Sequence, residues 1–389
     1  MTVDLAKRRA VLDEALAAGG DWPERSPWLR EAVAALPREM FAPDRLWRWD
    51  GQQYEAADRR ADAEGWAAVL YAGPDVAAVT QVTGGLPSSS ISAPGVVVDM
   101  LDSLRLEPGH RVWDIGGGQG WNAALAAWRA GPGRVVSTEI DAGLAAFARR
   151  RLAAAGLEVE VLTGDATTTG PCGERFDRVI ATYAVERVPW TWVEACRPGG
   201  RIVYPWGRLG HVALTVADDG RSASGWVQGL AQFMADRTGP VPPTAGWAGY
   251  TAVRGGGPAA TERRIDRDLA PLEGDWNLRF ALRVAVPDAM VTTGRDEDGV
   301  NAWVHDGRTS WASFSAVGDG TTVLHQGGER RRIGDELVTA WRAWEELGRP
   351  EPYDYGITVT PDRQWVWLNQ PDADGPRWPI DDATPAASG

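Results

Sequence analysis

Lysine is almost missing from this chain: Lys7 is the only one among 40 basic residues. That bias, with abundant Ala and Gly, reads as a coding preference rather than as chemistry. Cysteine is nearly absent too. Cys172 and Cys196 are too few for a disulfide framework or a four-cysteine zinc site. They suit a reducing compartment, and the first ten residues carry no apolar run of the signal-peptide kind. The expectation is a cytoplasmic protein. The 4 histidines, His110, His211, His305 and His325, form no paired spacing, so no metal site is expected. Apolar runs are too short to span a bilayer, which argues against a membrane partner. A net charge of −13 repels a phosphate backbone, which argues against nucleic acid. Tyr (7) and Phe (6) are scarce, whereas Trp reaches 21.

What remains is ordinary globular composition, 44% apolar and 24% charged, spread over 389 residues. That length exceeds one domain of usual size. Apolar spacing predicts two helices within 4–37, broken at Asp21-Trp22-Pro23 and Ser26-Pro27. Residues 83–94 read as a loop rich in Gly, Ser and Pro, with a helix after it from Gly95 to Leu104. From 110 the rhythm is strand–helix–strand. Strands are expected at 111–115, 134–139, 158–162, 176–182 and 201–205, with helices at 121–130 and 142–155. This alternation predicts an α/β fold with a doubly wound, mainly parallel sheet. Two further strands are expected at 211–217 and 225–234.

The expected division is an N-terminal helical segment over 1–54, an α/β domain over 55–237, a linker over 238–260 and a C-terminal α+β domain over 261–389. In the last, a helix over 333–347 carries Leu337, Trp341, Trp344 and Leu347 on one face. A strand pair is expected at 355–359 and 364–368, and 381–389 reads as a frayed end.

The chemistry gathers at Val112-Trp-Asp114-Ile-Gly116-Gly-Gly118-Gln-Gly120-Trp121-Asn122, between a predicted strand and a predicted helix. Glycines there permit a sharp turn and close approach of a ligand to the main chain. Gly118-x-Gly120-x-x-Ala123 also fits a dinucleotide fingerprint, which keeps an NAD-dependent dehydrogenase open as an alternative. Asp114 opposes a pyrophosphate but suits a ligand with an ammonium group and no phosphate, such as S-adenosylmethionine. Glu139 ends the second strand at the spacing of a ribose-diol acceptor. Asp165 in Thr163-Gly-Asp-Ala166 comes after the third strand, and Asp177 leads the fourth. No His, Cys or Lys constellation accompanies them.

The order Asp-x-Gly-x-Gly-x-Gly, Glu139, Gly164-Asp165, Phe176-Asp177 and Arg197-Pro-Gly-Gly-Arg-Ile-Val resembles class I S-adenosylmethionine-dependent methyltransferases of Rossmann-like fold. Ser90-Ile-Ser92-Ala-Pro94, Gly120-Trp-Asn-Ala-Ala124, Gly199–Pro205 and Leu36-Pro-Arg-Glu-Met-Phe41-Ala-Pro43 narrow the resemblance. They look like the protein-L-isoaspartate O-methyltransferase family, over about residues 30–235.

The resemblance implies an S-adenosyl-L-methionine site built from Ser90, Asp114, Gly116, Gly118, Gly120, Asn122, Glu139, Ile140, Asp165, Ala166 and Thr182. It implies Ser92 as the hydroxyl that orients an acceptor carboxylate, with Ser88, Ser89 and Ser90 as further substrate donors. Departures are Ser90 for the family's threonine, an insertion over about 55–80, and the length beyond 240. Those features resemble long family members that methylate an Asp side chain of a ribosomal peptide (lanthipeptide or graspetide), whose ester closes to an aspartimide. The implied partner is then a precursor peptide, already macrocyclised. Isoaspartyl repair is the alternative of the same chemistry, and a non-catalytic peptide-binding scaffold is the alternative of another class.

Overall fold

The computed structural model describes residues 3–168, 170–171, 173, 175–207, 209–237, 244–256, 258–328, 331–371 and 374–380. Cys172 and the end expected to fray over 381–389 lie outside them. The chain opens with two helices, α1 (Leu5–Gly19) and α2 (Trp28–Ala35). The Asp4 carboxylate caps the first by accepting from the Lys7 N–H, and Gly20 ends it in the left-handed conformation. Leu12, Leu16, Leu29 and Ala32 are the buried face.

Next come β1 (Arg45–Trp49), β2 (Tyr54–Asp58), α3 (Ala63–Leu70), β3 (Ala78–Thr83) and β4 (Leu86–Ile91). The strands form an antiparallel sheet in the order β2-β1-β3-β4. Much of the loop expected over 83–94 is therefore a strand. Gly84 and Gly85, at φ 60° and 81°, make a two-residue turn that sets Thr83 opposite Leu86. Such a Gly-Gly turn matches the twist of a hairpin, which overrides the serine-rich composition of residues 86–91.

The central layer alternates as expected: α4 (Pro94–Ser103), β5 (Val112–Ile115), α5 (Trp121–Ala130), β6 (Val135–Glu139), α6 (Ala142–Ala154) and β7 (Val159–Thr163). Then come β8 (Phe176–Ala181), α7 (Trp190–Ala195), β9 (Cys196–Trp206), β10 (Gly210–Val216) and β11 (Ala223–Leu230). Strands β7-β6-β5-β8-β9 run parallel, and β9-β10-β11 continue antiparallel. The fold is the expected doubly wound α/β class. Its connections diverge at β5, which has β6 on one side and β8 on the other. Ligands bind in the crevice beyond the carboxyl ends of strands at such a switch point.

The rest of the chain holds α8 (Gly246–Arg254), β12 (Thr261–Ile265), α9 (Pro271–Gly274), α10 (Trp276–Ala285) and β13 (Met290–Asp296). After these come β14 (Gly299–His305), β15 (Trp311–Ala316), β16 (Thr322–Gly327), α11 (Ile333–Glu346), β17 (Tyr355–Val359), β18 (Gln364–Leu368) and β19 (Arg377–Pro379). Strands β12-β16-β15-β14-β13 form a second antiparallel sheet.

Three expectations change. The segment read as helical over 1–54 also holds β1, which pairs with β2 and β3. The stretch read as a linker contains α8, whose Tyr250 packs edge-on against Trp311 of β15. And the C-terminal region is not an independent unit: β17, β18 and β19 extend the central sheet to 10 strands, pairing onto β11 from Ala223↔Val359 to Trp226↔Gly356. The edge of β11 would otherwise expose unpaired N–H and C=O groups. One buried cluster runs without a break from Trp113 and Val179 through Phe280 and Leu337 to Tyr355. In α11, Leu337, Trp341 and Trp344 are buried, so most of that stripe is core, as helical spacing normally implies, whereas Leu347 at its end is exposed. Arg331, at the entry to α11, pairs with Glu336 and Asp288.

Candidate active site

A cavity of about 340 Å³ lies at the carboxyl ends of β5, β6 and β8, at the switch point. Three walls enclose it. The first is the turn from β5 into α5 with the exits of β6, β7 and β8. The second is the hairpin β3–β4 and the start of α4. The third is the extended segment 232–237 after β11, tied to the exit of β8 by the Met234 carbonyl, which accepts from Ala184 N–H at 2.8 Å.

The glycine turn is dictated by crowding. Gly116 sits at φ 82°, and a Cβ there would lie 2.7 Å from the Tyr183 ring. At Gly117 a Cβ would lie 2.2 Å from Ser137 Oγ. No larger residue fits either place with the surrounding walls intact. Beneath the turn, Asp114 is fully buried between Ser137 Oγ at 2.6 Å and Asn122 Nδ2 at 2.7 Å, both of which donate to it. Burial pushes its carboxyl up to about 6, against the pull of those two donors.

Glu139, at the end of β6, accepts from Gly118 N–H at 2.8 Å and from Asp141 N–H at 3.0 Å. Each of its oxygens keeps a second lone pair for a diol. Asp165 lines the cavity while its Oδ1 accepts from the Thr167 N–H and hydroxyl. Ile140 supplies an exposed apolar surface, and Ala166 closes that side with its carbonyl held by Trp192 Nε1 at 2.9 Å. Thr182 donates to the Gly116 carbonyl at 2.5 Å.

Across the cavity, β4 brings Ser88, Ser89 and Ser90 to the wall, and Ser92 stands at the entry to α4. Ser88 Oγ is engaged inside the hairpin with Gln81 and Thr83, so it is the Ser88 carbonyl that faces outward, accepting from Arg237. The Ser92 carbonyl accepts from Arg38 Nη2 at 3.0 Å, while its hydroxyl has no partner among the described residues.

All the sequence-predicted residues therefore line one cavity except Asp114 and Gly120. Asp114 lies behind the turn and holds it, so its charge does not face a ligand as expected. Gly120 is the N-cap of α5, and a Cβ there would press on Ala148 of α6 at 3.3 Å; it sets helix packing. Thr182 and Ser88 line the wall but spend their hydroxyls on the scaffold.

Several residues went unread in the sequence. Asp75, Gln119, Tyr183 and the segment 232–237 all line the cavity. Burial and nearby Asp236, Asp165 and Glu139 push the Tyr183 phenol up, which keeps it a neutral donor. Arg38 is the least expected. It is fully buried, donates to the carbonyls of Leu70, Ile91 and Ser92, and lies 5.5 Å from the Trp121 ring. Burial pulls it down to about 10. A buried cation held by carbonyls rather than a carboxylate is costly, and what it secures is the backbone that presents Ser92. Only its place in the Leu36–Pro43 element marked it in the sequence.

Outside the cavity, Ser103 and Asp99 approach His211, whose Nε2 lies 3.4 Å from Ser103 Oγ and 3.7 Å from Asp99 Oδ2, but that imidazole is fully buried. Burial pushes the Cys196 thiol up to about 12 and the His211 imidazole down to about 4, so both are packing residues. Among the described residues there is no cluster of metal ligands, and no helix is long and apolar enough to cross a membrane.

Comparison with known proteins agrees with the cavity. Residues 24–227 match the family described as protein-L-isoaspartate(D-aspartate) O-methyltransferase. The protein-L-isoaspartate O-methyltransferase of Methanopyrus kandleri is 40% identical over 121 residues, 30% of this chain and 54% of that protein. The enzyme of that name from Methylorubrum extorquens is 33% identical over 209 residues, 54% of this chain and 77% of that protein. For several of these relatives the chain spans only about half of their length, 54% in that of Pyrococcus horikoshii. A solved structure of a protein-L-isoaspartate O-methyltransferase aligns with 93% of this chain and 100% of its own, at a TM-score of 0.50 and 19% identity. At that identity the likeness is one of fold, and it extends beyond residue 240.

Proposed function

The chain belongs to the protein-L-isoaspartate(D-aspartate) O-methyltransferase family, and from that premise we propose that it methylates an aspartate-derived carboxylate of a protein or peptide. The observation that carries the reading is the pairing of two unlike walls in one cavity. The glycine turn with Glu139 and Asp165 faces the serine wall that ends in Ser92. The first suits S-adenosylmethionine: a turn with no room for a Cβ, a buried carboxylate for a diol and an acid for an amine. The second suits a carboxylate: the hydroxyls of Ser89, Ser90 and Ser92 stand on a wall that is otherwise largely apolar, with Ile91, Val96 and Val97 beside them.

S-adenosylmethionine supplies a methyl group already activated on sulfur. A carboxylate is ionised near pH 7 and is itself the nucleophile, so no base is required. The chain's task is alignment and exclusion of water. Ser92 Oγ–H donates to one carboxylate oxygen and leaves the other free to attack. Arg38 fixes the backbone on which Ser92 stands. Gly116 and Gly118 let the donor lie against the main chain. The absence of a His, Cys or Lys constellation is what this chemistry allows.

The isoaspartyl acceptor has the better support, since the curated relatives bear that name. A second reading keeps the same transfer but takes an Asp of a dedicated ribosomal peptide, whose methyl ester then closes to an aspartimide with loss of methanol. One feature favours it: strands β1 and β2 widen the serine hairpin into a four-stranded wall beside the cavity, with Trp49 and Tyr54 paired at its outer end. The length beyond 240 separates neither reading, because the fold of a solved protein-L-isoaspartate O-methyltransferase aligns over most of it.

Incubation with S-adenosylmethionine and either an isoaspartyl peptide or its aspartyl counterpart, then mass spectrometry, tests the proposal. Methylation of the isoaspartyl peptide alone supports repair. Methylation of neither, with a precursor peptide modified and then dehydrated, supports the second reading.

A further inference from the structure

We propose that Arg237 recruits the acceptor carboxylate, exchanging its distant carboxylate partner within the protein for the anionic group to be methylated. The inference rests on the carboxylate-methylation reading above. Asp75, Glu139, Asp165 and Asp236 line the cavity, so an anionic acceptor is opposed from several sides. Among the described lining residues Arg237 is the one cation. A carboxylate entering this site has nowhere else to find a countercharge.

The placement of Arg237 suits that role. It stands at the end of the segment after β11, about a third exposed, and reaches over the cavity to the opposite wall. Its Nη2 donates to the Ser88 carbonyl and lies 3.5 Å from Gln81 Oε1. Its Nη1 lies 3.8 Å from Asp141 Oδ2, an ion pair too long for a hydrogen bond. Asp141 depends on it little, because that carboxylate caps α6 by accepting from the Leu144 and Gly143 N–H groups, which hold it below the usual range. The exchange therefore leaves Asp141 satisfied.

A guanidinium offers five N–H groups in a planar fork, enough to keep the Ser88 tie and grip a carboxylate with the remaining edge. The same tie holds the serine hairpin against the captured anion. Capture at the rim thus delivers the acceptor to Ser89, Ser90 and Ser92. On this account Arg237 governs acceptor binding, while the glycine turn governs the methyl donor.

Steady-state kinetics on the full chain with an isoaspartyl peptide, beside calorimetric titration with S-adenosylhomocysteine, tests the assignment. Arg237→Gln is expected to raise the acceptor KM by about tenfold or more, because it deletes the countercharge. The Kd for S-adenosylhomocysteine should stay within about threefold, and the salt dependence of kcat/KM should flatten. Arg237→Lys should recover much of the loss. An unchanged KM in Arg237→Gln overturns the proposal. So does a KM that rises together with the S-adenosylhomocysteine Kd in both variants, which marks a structural strap. A wild-type chain that binds S-adenosylhomocysteine yet methylates no peptide carboxylate overturns the reading beneath it as well.

Discussion

The two sides of the cavity are built by different physics. The side proposed to hold the methyl donor stands on the ends of adjacent parallel strands, and its parts lie close in sequence: Gly118 and Glu139 are 21 residues apart. The side proposed to hold the acceptor is assembled from distant pieces. Arg38 reaches the Ser92 carbonyl across 54 residues, and Arg237 reaches the Ser88 carbonyl across 149. A site made of short-range turns tolerates change around it, whereas one made of long-range ties depends on the fold being complete. The difference also separates chemistry from choice: the donor is common to a fold, and the acceptor is particular to a chain.

If the two sides are separable, a lesion in one should spare the other. The largest effect is expected from Gly116→Val. Its side chain would enter the Tyr183 ring at a φ that disfavours any Cβ. Calorimetry should show S-adenosylhomocysteine binding weakened by about a hundredfold or more, as expected when a cradle is filled. Retained binding would mean that the donor lies elsewhere.

Arg38→Met comes next. It strips a charged donor from the Leu70, Ile91 and Ser92 carbonyls. Unfolding free energy should fall by about 2–3 kcal/mol, since carbonyls are left unpaired. In the fraction that remains folded, kcat should fall by roughly ten- to a hundredfold, because the aligned hydroxyl drifts. The S-adenosylhomocysteine Kd should hardly move. A parallel loss of donor affinity would dissolve the division between the sides.

Ser92→Ala is smaller. One hydroxyl orienting an already ionised nucleophile is worth about tenfold in kcat/KM, with Ser92→Thr recovering part. Wild-type kinetics in Ser92→Ala would move the orienting role to another donor, with Ser89, Ser90 and Tyr183 the neighbours to try.

The last effect concerns stability and pH rather than either ligand. Asp114 holds its proton to about pH 6 when folded, against a normal value of 3.8. The unfolded chain therefore releases that proton first, and folding stability drops as pH rises between those two values, by about 1 kcal/mol per unit. The stability of wild type relative to Asp114→Asn should decline over that window and level off above it, measured by denaturant titration. A flat difference would show that Ser137 and Asn122 keep Asp114 ionised throughout.

Much of the donor side was legible because its signals are local. A strand, a glycine turn and a helix occupy consecutive positions, and Glu139 and Asp165 lie at strand ends. The residues misread there, Asp114 and Gly120, had their positions recognised but not their direction, because one-dimensional spacing does not say which side of a turn a carboxylate faces. On the acceptor side the serines were legible as a motif, yet their backbone was not. The strand β4 was hidden by serine-rich composition, although Gly84-Gly85 marked the turn. Arg237 and the wall around it belong to a segment with no motif, placed by pairing with residues near 184. Strands β17 and β18 were expected at their observed positions and β19 was not, and the attachment of all three to β11 depends on an open sheet edge that no local pattern announces.

Methyl transfer to a single carboxylate is the central claim. The full chain is incubated with S-adenosylmethionine and a matched pair of peptides, one isoaspartyl and one aspartyl, and the products are weighed and mapped by fragmentation. The expected result is one methyl ester on an aspartate-derived carboxylate, labile to base. It should form about tenfold more slowly with Ser92→Ala that still binds S-adenosylhomocysteine. A methyl group found on nitrogen, sulfur or a hydroxyl, with every carboxylate untouched, would contradict the claim.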